Sequence, residues 1–225
     1  MDRQWDKETV GGIVTDYPAA ALMFRKKGID FCCGGHRKLG EVLKEKGLDP
    51  SAIGALLDEA VQKSEEDARL GAAKFTAMKP AELAGYIETM HHTFMRDILL
   101  EISGLLRAVL QAHGRNHPEL FEIHRLYHQL QAELEQHLVK EETVLFPALE
   151  ATDPAFAAEG VKMAAVIREE HEKAGGVLKE LRSLSGDYRV PEDACPTYRH
   201  LYEHMADMEG DLFQHIHLEN NILLK

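Results

Sequence analysis

Cysteine is scarce in this chain, basic residues are outnumbered, and long apolar runs are missing. Three cysteines, two of them adjacent at Cys32 and Cys33, cannot make an ordinary disulfide framework, which fits a reducing compartment and leaves thiol chemistry open. No run of eighteen apolar residues occurs, and Met1 to Asp6 is polar and charged, without the hydrophobic segment of a secretory signal. A cytoplasmic protein is expected. The 26 Lys and Arg stand against 38 Asp and Glu, a formal charge of -12, so the overall field repels nucleic acid and anionic membrane surfaces; no nucleic acid and no membrane partner is expected. Strand signals are also few: there is little period-two alternation and few clusters of Val, Ile and Thr.

Ala, Leu, Glu, Lys and Gln dominate instead, and the expected fold class is all-α. The 225 residues are enough for one bundle of about 150 residues and a smaller unit. Near the N-terminus, Val10, Ile13, Val14, Tyr17, Ala21, Leu22 and Phe24 predict a short helix that stops at Gly28. Two more follow, Leu39 to Lys46 ended by Gly47, and one opened by Asp49 as N-cap with Pro50 at its first position. These define a small helical domain over residues 1–65. The charged stretch at 64–79 has no clear apolar face at its start, and a linker is placed at 66–79. Beyond it, amphipathic segments at about 80–112, 118–149, 158–184 and 195–224 are separated by Gly- and Pro-containing breaks. Four such helices with short connections predict an up-down-up-down four-helix bundle over 80–225.

The bundle segments repeat. Gln136-His137-Leu138-Val139-Lys140-Glu141 parallels Gln214-His215-Ile216-His217-Leu218-Glu219, and each copy has an upstream histidine: His92 precedes His137 by 45 positions and His171 precedes His215 by 44. On a helix, His at i and Glu at i+4 stand on one face, so His137 with Glu141 and His215 with Glu219 each form a two-ligand claw. Both claws lie in apolar stripes. Leu130, Leu134 and Val144 flank the first; Met208, Leu212, Leu218 and Ile222 flank the second. His171 lies among Met163, Ile167, Ala174 and Leu178. A lone histidine in such a stripe reads as a hydrogen-bonded core residue, but six matched positions on four helices read as a metal site, since a cation satisfies buried imidazole and carboxylate together.

Four imidazoles shared equally, with two bridging carboxylates, give each of two metals four protein donors. A solvent-derived oxo or hydroxo bridge makes five and leaves an octahedral ion one open position. The mixed nitrogen and oxygen set argues for iron over calcium or magnesium, and against closed tetrahedral structural zinc. On the first helix two residues compete. His91 is in phase with Leu83, Ile87, Phe94, Ile98 and Ile102, and His92 with Met95, Leu99, Leu106 and Leu110; periodicity slightly favours His91 and the repeat spacing favours His92. The pair His124 and His128 rotates away from the claw and reads as a solvated face, while His204 lies eleven residues from His215, about 16 Å along the axis. His36, His113, His117 and His217 read as surface or turn residues, and Cys195 beside Pro196 as structural. Adjacent Cys32 and Cys33 would close a strained ring if joined, and the glycines after them let the backbone approach another group closely. Such a pair offers itself for accepting iron, disulfide exchange or joining two protomers.

With these motifs in hand, Gly28-Ile29-Asp30-Phe31-Cys32-Cys33-Gly34-Gly35, His91-His92 followed by Arg96, Glu141-Glu142-x-x-Leu-Phe-Pro147 and Leu218-Glu219-Asn220-Asn221, nearly the whole chain resembles the repair-of-iron-centres family, whose members carry a hemerythrin-like bundle after a small N-terminal domain. The resemblance favours His92 over His91. It implies that His92, His137, Glu141, His171, His215 and Glu219 ligate a non-haem di-iron centre bridged by Glu141 and Glu219. It implies a role in restoring iron-sulfur clusters damaged by nitric oxide or oxidants, by iron donation, with Cys32 and Cys33 as thiol or iron-transfer residues. Damaged or apo iron-sulfur proteins are then the partners. Competing readings are a carrier or sensor of oxygen or nitric oxide, and a reductase forming nitrous oxide; a homodimer is a further expectation. The chain departs from the family pattern at Leu99-Leu100, where Leu-Pro is usual, and at Ile222-Leu223-Leu224-Lys225, where Phe-Pro usually follows; only local differences at the helix ends are expected.

Overall fold

In the computed structural model, residues 4–69 and 75–225 are described; Met1 to Arg3 and part of the predicted linker, 70–74, lie outside the described residues. The described residues are helical and contain no β-strand, apart from an isolated antiparallel bridge between Thr9 and Lys38. The chain divides into two units, Met1–Lys79 with Phe213–Lys225, and Pro80–Leu212.

The first unit holds α1 (Val10–Asp16), α2 (Ala20–Lys26), α3 (Leu39–Lys46) and α4 (Pro50–Arg69). Where the sequence predicts one helix up to Gly28, two are found. Pro18 has no N–H to donate and forces Tyr17 out of the helical region, to φ -132 and ψ 79, so the chain turns before α2 begins. Gly28 and Gly47 both take φ +63, the left-handed conformation that ends a helix with least strain in glycine. The Asp49 carboxylate accepts from Ser51 N–H at 3.0 Å and opens α4 as expected. Val10, Ile13, Phe24, Ile29, Phe31, Leu39 and Leu57 form a core between these helices. The last buried residue of α4 is Ala60, yet the helix continues to Arg69, so the start of the charged segment read as a linker is helical.

The second unit is built from α5 (Pro80–Ile87), α6 (Thr93–His113), α7 (Glu119–Lys140), the single turn α8 (Phe146–Ala148), α9 (Pro154–Leu184) and the first part of α10 (Pro196–Leu218). Asp153 caps α9, its carboxylate accepting from the N–H groups of Ala155 and Phe156. Specific contacts fix the order of packing. Tyr127 of α7 donates to the Leu99 carbonyl of α6 at 2.7 Å. His137 of α7 meets Glu170 of α9 at 3.0 Å, Arg182 of α9 meets Glu209 of α10 at 2.8 Å, and α10 returns to α6 through His204 and Glu101 at 3.1 Å. Short connections make sequential neighbours antiparallel, and the result is an up-down-up-down bundle. Its interior is lined by Ile98, Ile102, Leu106, Leu120, Ile123, Leu130, Ile167, Leu178 and Met208, all buried.

Candidate metal centre

Among the described residues, three π-helical turns interrupt the long helices, at Glu88–His92, Glu141–Leu145 and Glu219–Leu223. Each begins or ends on a residue the sequence nominated: His92, Glu141 or Glu219. A π turn inserts an extra residue and rotates everything after it, and such turns recur at functional sites. This explains why strict periodicity misplaced two side chains. Val144, expected to face inward, is only half-buried, and Leu145 takes the buried position one residue later; Ile222 is likewise half-buried. It also explains the conflict on the first helix, because across the turn both His91 and His92 are buried.

Their environments then separate them. His91 Nδ1 lies 2.9 Å from Asp211. His92 Nε2 lies 3.2 Å from Glu141 Oε2, while its Nδ1 is 2.7 Å from Glu142 Oε1. On α7, His137 Nε2 is 3.0 Å from Glu141 Oε1, and its Nδ1 is 3.0 Å from Glu170. His171 Nε2 lies 3.2 Å from His137 Nε2 and 3.9 Å from Glu141 Oε1. His215 Nε2 is 3.4 Å from Glu219 Oε1, so both claws form at i, i+4. His92, Glu141, His215 and Glu219 bring ligand atoms within 4.8 Å of one another, as do His137, Glu141, His171 and Glu219. Glu141 and Glu219 are common to both sets; His91 is in neither.

The outer carboxylates set the tautomers. Partial burial pushes Glu142 up, but hydrogen bonds from His92 and Arg96 outweigh it and hold its carboxyl below the usual range. The same balance holds Glu170 down, through Lys140 and His137. Each ionised carboxylate therefore accepts a Nδ1–H, which assigns the Nε2 lone pairs of His92 and His137 to the Glu141 side. All six nominated residues are at most 3% exposed. Two carboxylates and four imidazoles gathered that deeply are costly without a cation, and nitrogen with carboxylate oxygen is the donor set of a transition ion, so the residues present fit a bound metal.

Among the thiols, Cys32 is buried and Cys33 half-buried, with sulfurs 3.9 Å apart. The Cys32 N–H and S–H both point to Asp30 Oδ1, at 3.2 and 3.3 Å. Hydrogen bonding to Cys33, burial and the charge of Asp30 hold the Cys32 thiol well above its ordinary range. Asp30, Cys32 and Cys33 also bring ligand atoms within 4.8 Å. His217, read from sequence as a surface or turn residue, is buried instead: its ring packs on Phe31 at 5.7 Å and Nδ1 lies 3.4 Å from the Phe31 carbonyl. Periodicity within α10 carried no signal for this, because the covering residues lie some 186 positions away. Asn221 follows the same route, its amide donating to the Cys32 carbonyl at 3.3 Å.

An antiparallel helical bundle whose facing histidines and glutamates converge in its interior defines the hemerythrin-like class of cation-binding proteins. Residues 83–225 match the hemerythrin HHE cation binding domain, and residues 6–61 match a Domain of Unknown function (DUF542). The chain is 32% identical to the iron-sulfur cluster repair protein ScdA of Staphylococcus haemolyticus, over 97% of this chain and 96% of that one. It is 34% identical to the iron-sulfur cluster repair protein YtfE of Pectobacterium atrosepticum and 30% identical to YtfE of Citrobacter koseri, in both cases over 96% of this chain and 94% of the relative. The chain belongs to the hemerythrin HHE family and, within it, to the repair-of-iron-centres proteins typified by ScdA and YtfE.

Proposed function

We propose that this protein repairs iron-sulfur clusters damaged by nitrosative or oxidative stress, and that it does so by donating iron from a di-iron centre. The observation that carries the di-iron reading is that two four-residue ligand sets share both of their carboxylates, Glu141 and Glu219. In this reading His92 and His215 hold one iron, His137 and His171 the other, and the two glutamates and an oxo or hydroxo group bridge them. His91 stays outside the ligand set, held by Asp211. The bound irons supply exchangeable ferrous or ferric ions with room for a small ligand. The chain's own residues supply the rest: Glu142 and Glu170 orient imidazoles, and Ile167, Met208 and Leu212 are buried within two turns of His171 and His215 on the same helices. Cys32 and Cys33, beside Asp30, form the thiol pair through which iron leaves. The domain organisation is a helical unit at 1–65, a connection at 66–79 and the metal-holding bundle at 80–225. The working compartment is the cytoplasm, where damaged or apo iron-sulfur proteins are the clients. No helix among the described residues is long and apolar enough to cross a membrane.

The test is reconstitution with iron followed by metal analysis and absorption spectroscopy, then presentation of an apo iron-sulfur protein. Two irons per chain and transfer to the apo protein are expected. Cys32→Ala/Cys33→Ala is expected to stop transfer and leave the iron spectrum unchanged. Zinc at one per chain with negligible iron overturns the di-iron reading. Iron that stays in place while nitric oxide or oxygen binds reversibly favours gas carriage or sensing over donation, and steady formation of nitrous oxide favours a reductase.

A further inference from the structure

The end of the bundle where α6 stops and α10 starts gathers a second set of metal-ligating side chains. His113 is the last residue of α6, His117 lies in the connection to α7, and Asp193 and Cys195 lie in the connection from α9 to α10. All belong to the second unit. His113, His117 and Asp193 bring ligand atoms within 4.8 Å of one another. His117 Nε2 faces the Asp193 carboxylate at 3.0 and 3.2 Å, and its Nδ1 is 3.0 Å from Glu119. Tyr198, fully buried, stands behind both rings, with centroids 5.3 Å from His113 and 5.5 Å from His117. Cys195, two residues after Asp193, is half-buried and lies outside that group of ligand atoms.

We propose that His113, His117 and Asp193 form a second metal site, which takes one zinc-like divalent ion. An ion pair between the two connections would need only His117 and Asp193. It would not need a second imidazole converging on them. Two nitrogens and one oxygen are three mixed donors that a borderline ion accepts with solvent in the fourth tetrahedral position; calcium and magnesium would require oxygens. The Nε2 proton of His117 leaves to solvent on binding, and His117 keeps its Nδ1–H on Glu119, the outer carboxylate that orients a ligating imidazole. No residue is shared with the bundle centre, and His92 lies about 30 Å away along the helix axis. The ion would clamp the α6–α7 connection to the α9–α10 connection, far from any iron that is given up.

The experiment titrates full-length, chelator-stripped protein with cobalt(II) and with zinc, comparing the wild type with His113→Asn/His117→Asn. His113, His117 and Cys195 are only half-buried and Asp193 is exposed, so the variants should fold, as far-UV circular dichroism will verify. The wild type should bind one more equivalent per chain than the double variant. That extra equivalent should persist in Cys195→Ser and in Cys32→Ser/Cys33→Ser. Glu119→Gln should keep the stoichiometry and weaken binding by roughly tenfold to a hundredfold. Equal metal uptake by wild type and a folded double variant overturns the site, and so does loss of the extra equivalent in Cys32→Ser/Cys33→Ser.

Discussion

His92 and Glu142 are joined by a 2.7 Å contact between Nδ1 and Oε1, on the side of the imidazole turned away from Glu141. Glu142 is itself held by Arg96 at 2.6 Å. The carboxylate therefore decides which imidazole nitrogen is free to face a metal, without being a ligand. Replacing it with Gln keeps the shape and removes the charge. Glu142→Gln is expected to lower the affinity of the bundle centre about tenfold to a hundredfold, read by competition with a chelator of known strength. Arg96→Ala should act in the same direction but more weakly, because the Arg96 side chain is 45% exposed and its ion pair is screened. An affinity unchanged in Glu142→Gln would show that the contact does not orient His92.

Removing the metal should also loosen the fold. Six polar side chains lie buried together among apolar ones, and a metal that binds only the native chain stabilises it by linkage. At a free-metal concentration of 100 times Kd the gain is about 2.7 kcal/mol. For a chain of this size that corresponds to roughly 5–10 °C in melting temperature. Calorimetry of the iron-loaded protein before and after chelation measures it. Equal melting temperatures would mean the six residues are accommodated without a cation.

The pair His124 and His128 offers a pH effect away from the metal ligands. Their rings are 4.4 Å apart, and burial first, then the neighbouring His128, lower the pKa of His124 below the ordinary imidazole value. The folded state thus favours neutral His124. Its contribution to stability is complete above the unfolded pKa, near 6.5, and is lost as pH falls through the lower folded value. In a proton NMR titration, His128→Gln should raise the His124 pKa without restoring it fully, since burial remains. A pKa that does not move would assign the whole depression to burial.

The fold class and the two claws were legible because they depend on local spacing: i, i+4 geometry places His137 over Glu141 and His215 over Glu219 whatever lies further along the chain. The π turns were not legible. They change phase by one residue, and in sequence that change looked like a dispute between His91 and His92. The break at Pro18 was visible in principle, since proline restrains the residue before it, but the apolar spacing on either side masked it. Burial of His217 and the convergence of His113 and His117 with Asp193 were hidden for another reason. Each is made by segments distant in sequence, and no periodicity within one helix encodes such a neighbour.

Gly11 tests how tightly the C-terminal π turn is seated in the first unit. A Cβ at Gly11 would lie 2.4 Å from Asn221 Oδ1 and 2.9 Å from its Cγ, and one at Gly35 would lie 2.6 Å from the same oxygen. The two glycines make room for an amide that donates to the Phe31 and Cys32 carbonyls. This is the close approach expected of the glycines beside the cysteine pair, and it is made by a side chain two residues after Glu219. Gly11→Ala should cost about 1–3 kcal/mol through overpacking, measured by urea unfolding. Asn221→Ala removes the obstructing amide along with its two hydrogen bonds. The double variant should therefore lose less than the two single losses added together, with a coupling of roughly 0.5–3 kcal/mol. Strict additivity would mean that Asn221 yields freely to a methyl group, and that the glycines are there for some purpose other than its passage.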